Sequence, residues 1–80
     1  MLRHWSIRVD ARAVQALYAL PRGTAGEVTD AIDQLLDNPI PNHVEPVEEI
    51  QHVYRLTIGD YLVEYEVIEE QRTIKILNVA

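Results

Sequence analysis

The stretch Val53–Val67, VYRLTIGDYLVEYEV, constrains this chain most, because it alternates twice around a central Gly59-Asp60. On its first half Tyr54, Leu56 and Ile58 share one face, and Val53, Arg55 and Thr57 the other. On its second half Tyr61, Val63, Tyr65 and Val67 lie together, opposite Leu62, Glu64, Glu66 and Ile68. Period-two alternation in residues rich in Val, Ile, Tyr and Thr is the strand pattern, and Gly-Asp between two such runs predicts a tight hairpin. Gly59 is the residue expected to supply a positive φ there. A hairpin is marginal alone and needs further strands or helices to cover its apolar face.

The rest of the chain supplies them. Trp5, Ile7 and Val9 alternate with His4, Ser6 and Arg8, which predicts a first strand over residues 3–9. Asp10 stands at a helix N-cap position, and Ala11, Val14, Leu17 and Tyr18 form an apolar stripe on a helix over 11–20. Pro21 stops it, and Arg22-Gly23 is read as the corner. Thr24 and Glu27 have capping-box spacing, which predicts a second helix over 25–37 with Val28, Ala31, Ile32, Leu35 and Leu36 inward. Pro39 ends that helix near Asn38. Val44–Val47 reads as a short edge strand interrupted by Pro46. A last strand is expected over 72–79, with Ile74, Ile76 and Asn78 on one face and Thr73, Lys75, Leu77 and Val79 on the other. The expected core is Trp5, Val14, Leu17, Ile32, Leu35, Leu36, Leu56, Val63 and Tyr65. The sum is an α+β domain of order β-α-α-β-β-β-β, a helical hairpin on one face of a mostly antiparallel sheet.

Eighty residues allow one domain, residues 1–80, with a small core. No apolar run reaches the roughly 18 residues a membrane span needs, and the first dozen residues lack a signal-peptide pattern. The absence of cysteine excludes disulfides and fits a reducing cytoplasm. The net charge is −6, from 13 acidic residues against 7 basic ones, which argues against nonspecific grip on nucleic acid. His4, His43 and His52 share no ligand spacing, so neither a metal nor a cofactor is expected.

The pattern resembles the RelE/ParE superfamily of toxin–antitoxin toxins across essentially the whole chain. Tyr54-Arg55, Gly59-Asp60-Tyr61 and Tyr65-Glu66 stand where the family has its strand–turn–strand signature, and Leu36-Asp37-Asn38-Pro39 is similar to its usual helix ending. The resemblance implies a cognate antitoxin as partner. It also implies one of two targets: messenger RNA cleaved in the ribosome by the RelE-like branch, or DNA gyrase poisoned by the ParE-like branch. The RelE-like branch is the reading taken.

Cleavage of that kind uses cations around one phosphate to activate the 2′-hydroxyl, stabilise the transition state and protonate the leaving oxygen. In the cleaving members these come from the open sheet face and the C-terminal end. Here Arg55 fills the first basic position, but Thr57 and Leu62 stand where further basic residues are usual, and Val79-Ala80 precede the usual basic and aromatic tail. Arg55 is therefore the one catalytic candidate, and Arg55 and Lys75 the RNA-binding candidates. The competing reading has Arg55 pairing across the strands with Glu64 or Glu66, and Lys75 as a solvated edge residue. The expectation is a toxin fold with weak or lost cleavage; the alternatives are a protein-binding module and a gyrase-directed toxin.

Overall fold

A computed structural model describes residues 4–80. The elements are β1 (Ser6–Val9), α1 (Ala11–Ala19), α2 (Arg22–Gln34), β2 (Glu45–Pro46), β3 (Val53–Ile58), β4 (Tyr61–Ile68), a short 3-10 turn (Glu69–Gln71) and β5 (Thr73–Val79). They form the expected α+β arrangement. The five strands run in the order β1-β5-β4-β3-β2. β1 is parallel to β5, and every other pair is antiparallel. A parallel neighbour needs a crossover, which α1, α2 and the meander provide. No helix among the described residues is long and apolar enough to cross a membrane.

The hairpin forms as its alternation requires. Ile58 faces Tyr61 across the turn, and Gly59 has φ +58°. Asp60 does not have a positive φ, which matches a turn with glycine at the first central position. Both helices cover the face that carries Leu56, Val63, Tyr65, Val67, Ile74 and Ile76, and Val28, Ile32 and Leu35 of the α2 segment complete the core.

Several expectations shift. The capping box does not form: α2 opens at Arg22 with Pro21 at its N-cap, so Thr24 lies inside the first turn. The proline ends one helix and starts the next, because its fixed φ suits a helix start and its missing N–H is not needed there. The Ala25 amide makes the first bond of that turn, to the Pro21 carbonyl at 2.8 Å. Asp10 is at the N-cap of α1 but makes no side-chain cap bond. α2 ends at Gln34 rather than 37, and Leu35, Leu36 and Asp37 donate to carbonyls three residues back. The tighter winding turns Leu36 outward, 39% exposed, so it leaves the expected core. On α1 the fully buried residue is Ala13, with Val14, Ala16 and Leu17 partly buried, as is Leu20 just past its end, while Tyr18 is exposed. β1 is shorter than 3–9; Arg3 lies outside the described residues, and Trp5 is partly buried. Arg72 is not a strand residue but takes a left-handed conformation, φ 49°, after the 3-10 turn.

The main correction lies in β5. Tyr65 faces Ile76 but Glu64 faces Asn78, so Leu77 is an unpaired bulge residue. One inserted residue reverses the alternation. Val79 is buried opposite Val63, and Asn78 turns to the open face, the opposite of the expectation.

Candidate functional site on the open sheet face

Both helices lie on one side of the sheet, so the other side is free to meet a partner. Register places its residues in rows that run across the strands. In one row Glu45, Arg55, Glu64 and Asn78 follow one another from β2 to β5. In the next, Val53, Glu66, Lys75 and Arg8 run from β3 to β1. Thr57 faces Leu62 in a third, beside the turn.

The structure therefore gathers the candidate positions. Arg55, Thr57 and Leu62, spread over eight residues of chain, sit on one small patch because β3 and β4 are joined by a two-residue turn. Lys75 shares the face but lies one strand away, beside Glu66 rather than beside Arg55. It is also not at an edge, since β5 runs between β1 and β4.

Arg55 is engaged. Its Nε donates to Glu64 Oε2 at 3.2 Å, with the two side chains 45% and 31% exposed. Directly opposite residues on antiparallel strands are within reach of each other, so the pairing follows from register. Glu45 flanks Arg55 on its other side. The open face thus sets Arg8, Arg55 and Lys75 against Glu45, Glu64 and Glu66, an even balance of sign. A phosphate approaching Arg55 must displace one carboxylate and pass two others.

Beneath this surface the sheet is rigidly held. Tyr65 is fully buried on the helix side, and its hydroxyl donates to the Pro39 carbonyl at 2.7 Å. That bond ties the loop after α2 to the middle of β4. Burial pushes the Tyr65 phenol well above the ordinary tyrosine value, and the neighbouring Tyr54 adds to the effect. Tyr54 and Tyr65 pack with ring centroids 5.8 Å apart.

Three members of the face were not singled out by sequence reasoning: Glu45, Arg8 and Asn78. For Asn78 a signal existed. Buried apolar residues at 74, 76 and 79 break an even spacing, and a polar Asn at a position assigned to the core marks where the break falls.

Comparison with known proteins fits this geometry. Residues 7–80 match the family described as the ParE toxin of type II toxin-antitoxin systems, parDE. This chain belongs to the RelE/ParE toxin superfamily. No curated protein matches it in sequence. Among solved structures, the RelE/ParE fold recurs in the intact Escherichia coli RelBE toxin-antitoxin complex, with TM-score 0.86 at 17% identity over 95% of this chain and 94% of that one. The archaeal RelE-RelB complex from Pyrococcus horikoshii OT3 is 29% identical over 94% of this chain and 91% of that one, with TM-score 0.83. The toxin-antitoxin complex RelBE2 from Mycobacterium tuberculosis is 24% identical, covers 96% of both chains and has TM-score 0.82. A RelE/ParE toxin fold of RelE type is thus kept at low identity.

Proposed function

We propose that this chain is the toxin component of a type II toxin–antitoxin pair, held silent by a cognate antitoxin in the cytoplasm, and that its ribosome-dependent cleavage of messenger RNA is weak or absent. The Arg55–Glu64 ion pair supports the second part most directly. The one arginine at an expected cationic position is already neutralised from within, and Thr57 and Leu62 leave the neighbouring positions uncharged. Each lost charge-stabilising contact costs a factor of about 10²–10³ in rate, so two together bring cleavage near background. The solved toxin-antitoxin complexes of the same fold support the antitoxin partner.

A gyrase-directed toxin is the second reading, and the match to the ParE family favours it. It needs no catalytic cations. A protein-binding module that has lost both activities is the third.

The test is messenger RNA cleavage in a reconstituted translation mix, with growth arrest on expression as a second readout. Near-background cleavage is expected, rising when Thr57→Lys and Leu62→Arg are introduced together. Robust cleavage by the unmodified chain, lost in Arg55→Ala, would sink the proposal. Growth arrest without cleavage would favour gyrase. Neither effect would leave the binding module.

A further inference from the structure

The chain between α2 and β2 returns toward β3 and leaves a cavity of about 220 Å³ against it. Two bonds hold this segment in place. The Tyr65 hydroxyl donates to the Pro39 carbonyl at 2.7 Å, and the Val44 amide donates to the Pro41 carbonyl at 3.3 Å. The fixed φ of Pro39 and Pro41 stiffens it further. Leu56 lines the cavity and belongs to the core beneath the helices, so the cavity lies on the helix side of β3. Arg55 and Thr57, its neighbours in the strand, point to the opposite face. The cavity is therefore separate from the charged rows of the open sheet.

Its walls and its rim differ in chemistry. Ala31 and Leu35 from the α2 segment, Leu56 from β3 and Pro41 from the loop make apolar walls. Leu35 and Leu56 are core residues, each 2% exposed, so their positions are fixed by packing. The rim is polar and exposed: Gln34, Asn38 and His43. Asn38 Oδ1 accepts from the Ile40 amide at 3.3 Å, which leaves the two side-chain N–H groups of Asn38 to donate elsewhere. The Gln34 and His43 side chains make no hydrogen bond among the described residues. Neither a carboxylate nor a Lys or Arg side chain lines the cavity among those residues.

We infer that this cavity binds an uncharged nitrogen heterocycle the size of a single nucleobase, its ring against Leu35, Leu56 and Pro41 and its polar edge on Gln34, Asn38 and His43. Apolar walls with a few convergent polar groups are the make-up of small-molecule sites. Such sites for drug-sized ligands span roughly 300–1,000 Å³, so a smaller cavity limits the occupant to one or two rings. Side-chain amides offer a donor and an acceptor side by side, which matches the edge of a heterocyclic amide. A phosphate or carboxylate on the ligand would find no cation there and would lose its hydration without compensation. The walls are already held by the core and by the bond from Tyr65, so binding orders little of the protein. The inference rests on the helix side of β3 and does not depend on whether the chain cleaves RNA.

The probes are uracil and cytosine, titrated into the isotope-labelled protein and followed by NMR. Cyclohexanol, a ring of similar size without the amide edge, is the control, and uridine monophosphate adds a charge to the same base. Saturable shifts of the Leu35 and Leu56 methyl groups and of the Gln34 and Asn38 side-chain amides are expected, at roughly millimolar ligand. The methyl groups of Leu62, on the open face, should stay still. Cyclohexanol should bind more weakly, and uridine monophosphate no more tightly than uracil. Gln34→Leu, at an exposed site, should weaken uracil about tenfold by removing the amide while keeping the fold. Ala31→Leu should abolish binding by filling the cavity. Should that variant fold poorly by circular dichroism, Gln34→Leu and the cyclohexanol control decide. Equal binding of cyclohexanol, binding unchanged by Gln34→Leu, or no saturable shift would overturn the inference. So would shifts centred on Leu62, or uridine monophosphate binding about tenfold more tightly than uracil.

Discussion

The two faces of this sheet share a backbone but follow different rules. On the helix side, Val63, Tyr65, Ile74 and Ile76 have no exposed surface, and each contributes by being out of water. On the open side, the residues exchange charge with one another across the strands, and an exposed ion pair such as Arg55–Glu64 is worth only about 0–1 kcal/mol. The difference teaches that the fold and the chemistry of this chain are written on separate surfaces. Charges on the open face can be exchanged for uncharged side chains with little loss of stability, so the fold constrains that face weakly.

That comparison can be broken first where it predicts the largest effect. Leu35 and Leu36 are adjacent in sequence but 2% and 39% exposed. Leu35→Ala should cost about 2–5 kcal/mol in denaturant unfolding, and Leu36→Ala under about 1 kcal/mol. Equal losses would mean that the end of α2 packs differently.

Tyr65→Phe keeps the ring but leaves the Pro39 carbonyl without its partner, at a cost of about 1–3 kcal/mol. It should also change the response to alkali. The folded Tyr65 holds its proton above the ordinary value of 10.0, so the unfolded chain releases a proton first. The stabilising effect is fully present below that value and is lost as pH rises above it, at up to about 1.4 kcal/mol per pH unit. Urea titrations at increasing pH should show this decline in the unmodified protein and a shallower one in Tyr65→Phe.

Gly59→Ala meets no atom within 4 Å, so only the left-handed φ penalises it, by about 1 kcal/mol. A stabilising effect would contradict the turn geometry. The smallest effect on stability is expected for Glu64→Gln, within about 0.5 kcal/mol. The same change should tighten binding of a short RNA at low salt by releasing Arg55, read by fluorescence anisotropy. Unchanged affinity would show that Glu64 is not what restrains Arg55.

Much of the fold was legible because the hairpin obeys a local rule. Alternation on both sides of Gly59-Asp60 fixed the faces of Leu56, Val63 and Tyr65 without reference to the rest of the chain. Legibility failed where the rule ceased to be local. The bulge at Leu77 was signalled only by the polar Asn78 at a position assigned to the core, and strict alternation read through it. Pro21 was read as a stop and not also as a start, since the competing capping signal at Thr24 was sound in isolation. At the candidate site, Arg55 and its carboxylate partner followed from hairpin register. Arg8 did not, because its neighbour Lys75 comes from a strand distant in sequence, and Glu45 did not, because the longer loop between β2 and β3 does not fix register as a two-residue turn does.

The position of β5 has a consequence for how the protein is made. It is the last strand in the chain but lies second in the sheet, between β1 and β4. The ladder of β1 is formed wholly with it. While a ribosome is still translating residues 73–79, β1 has nothing to pair with, and the meander carries a bare inner flank. A nascent chain therefore cannot close its sheet early, and a message interrupted before this strand yields a product that proteases can remove.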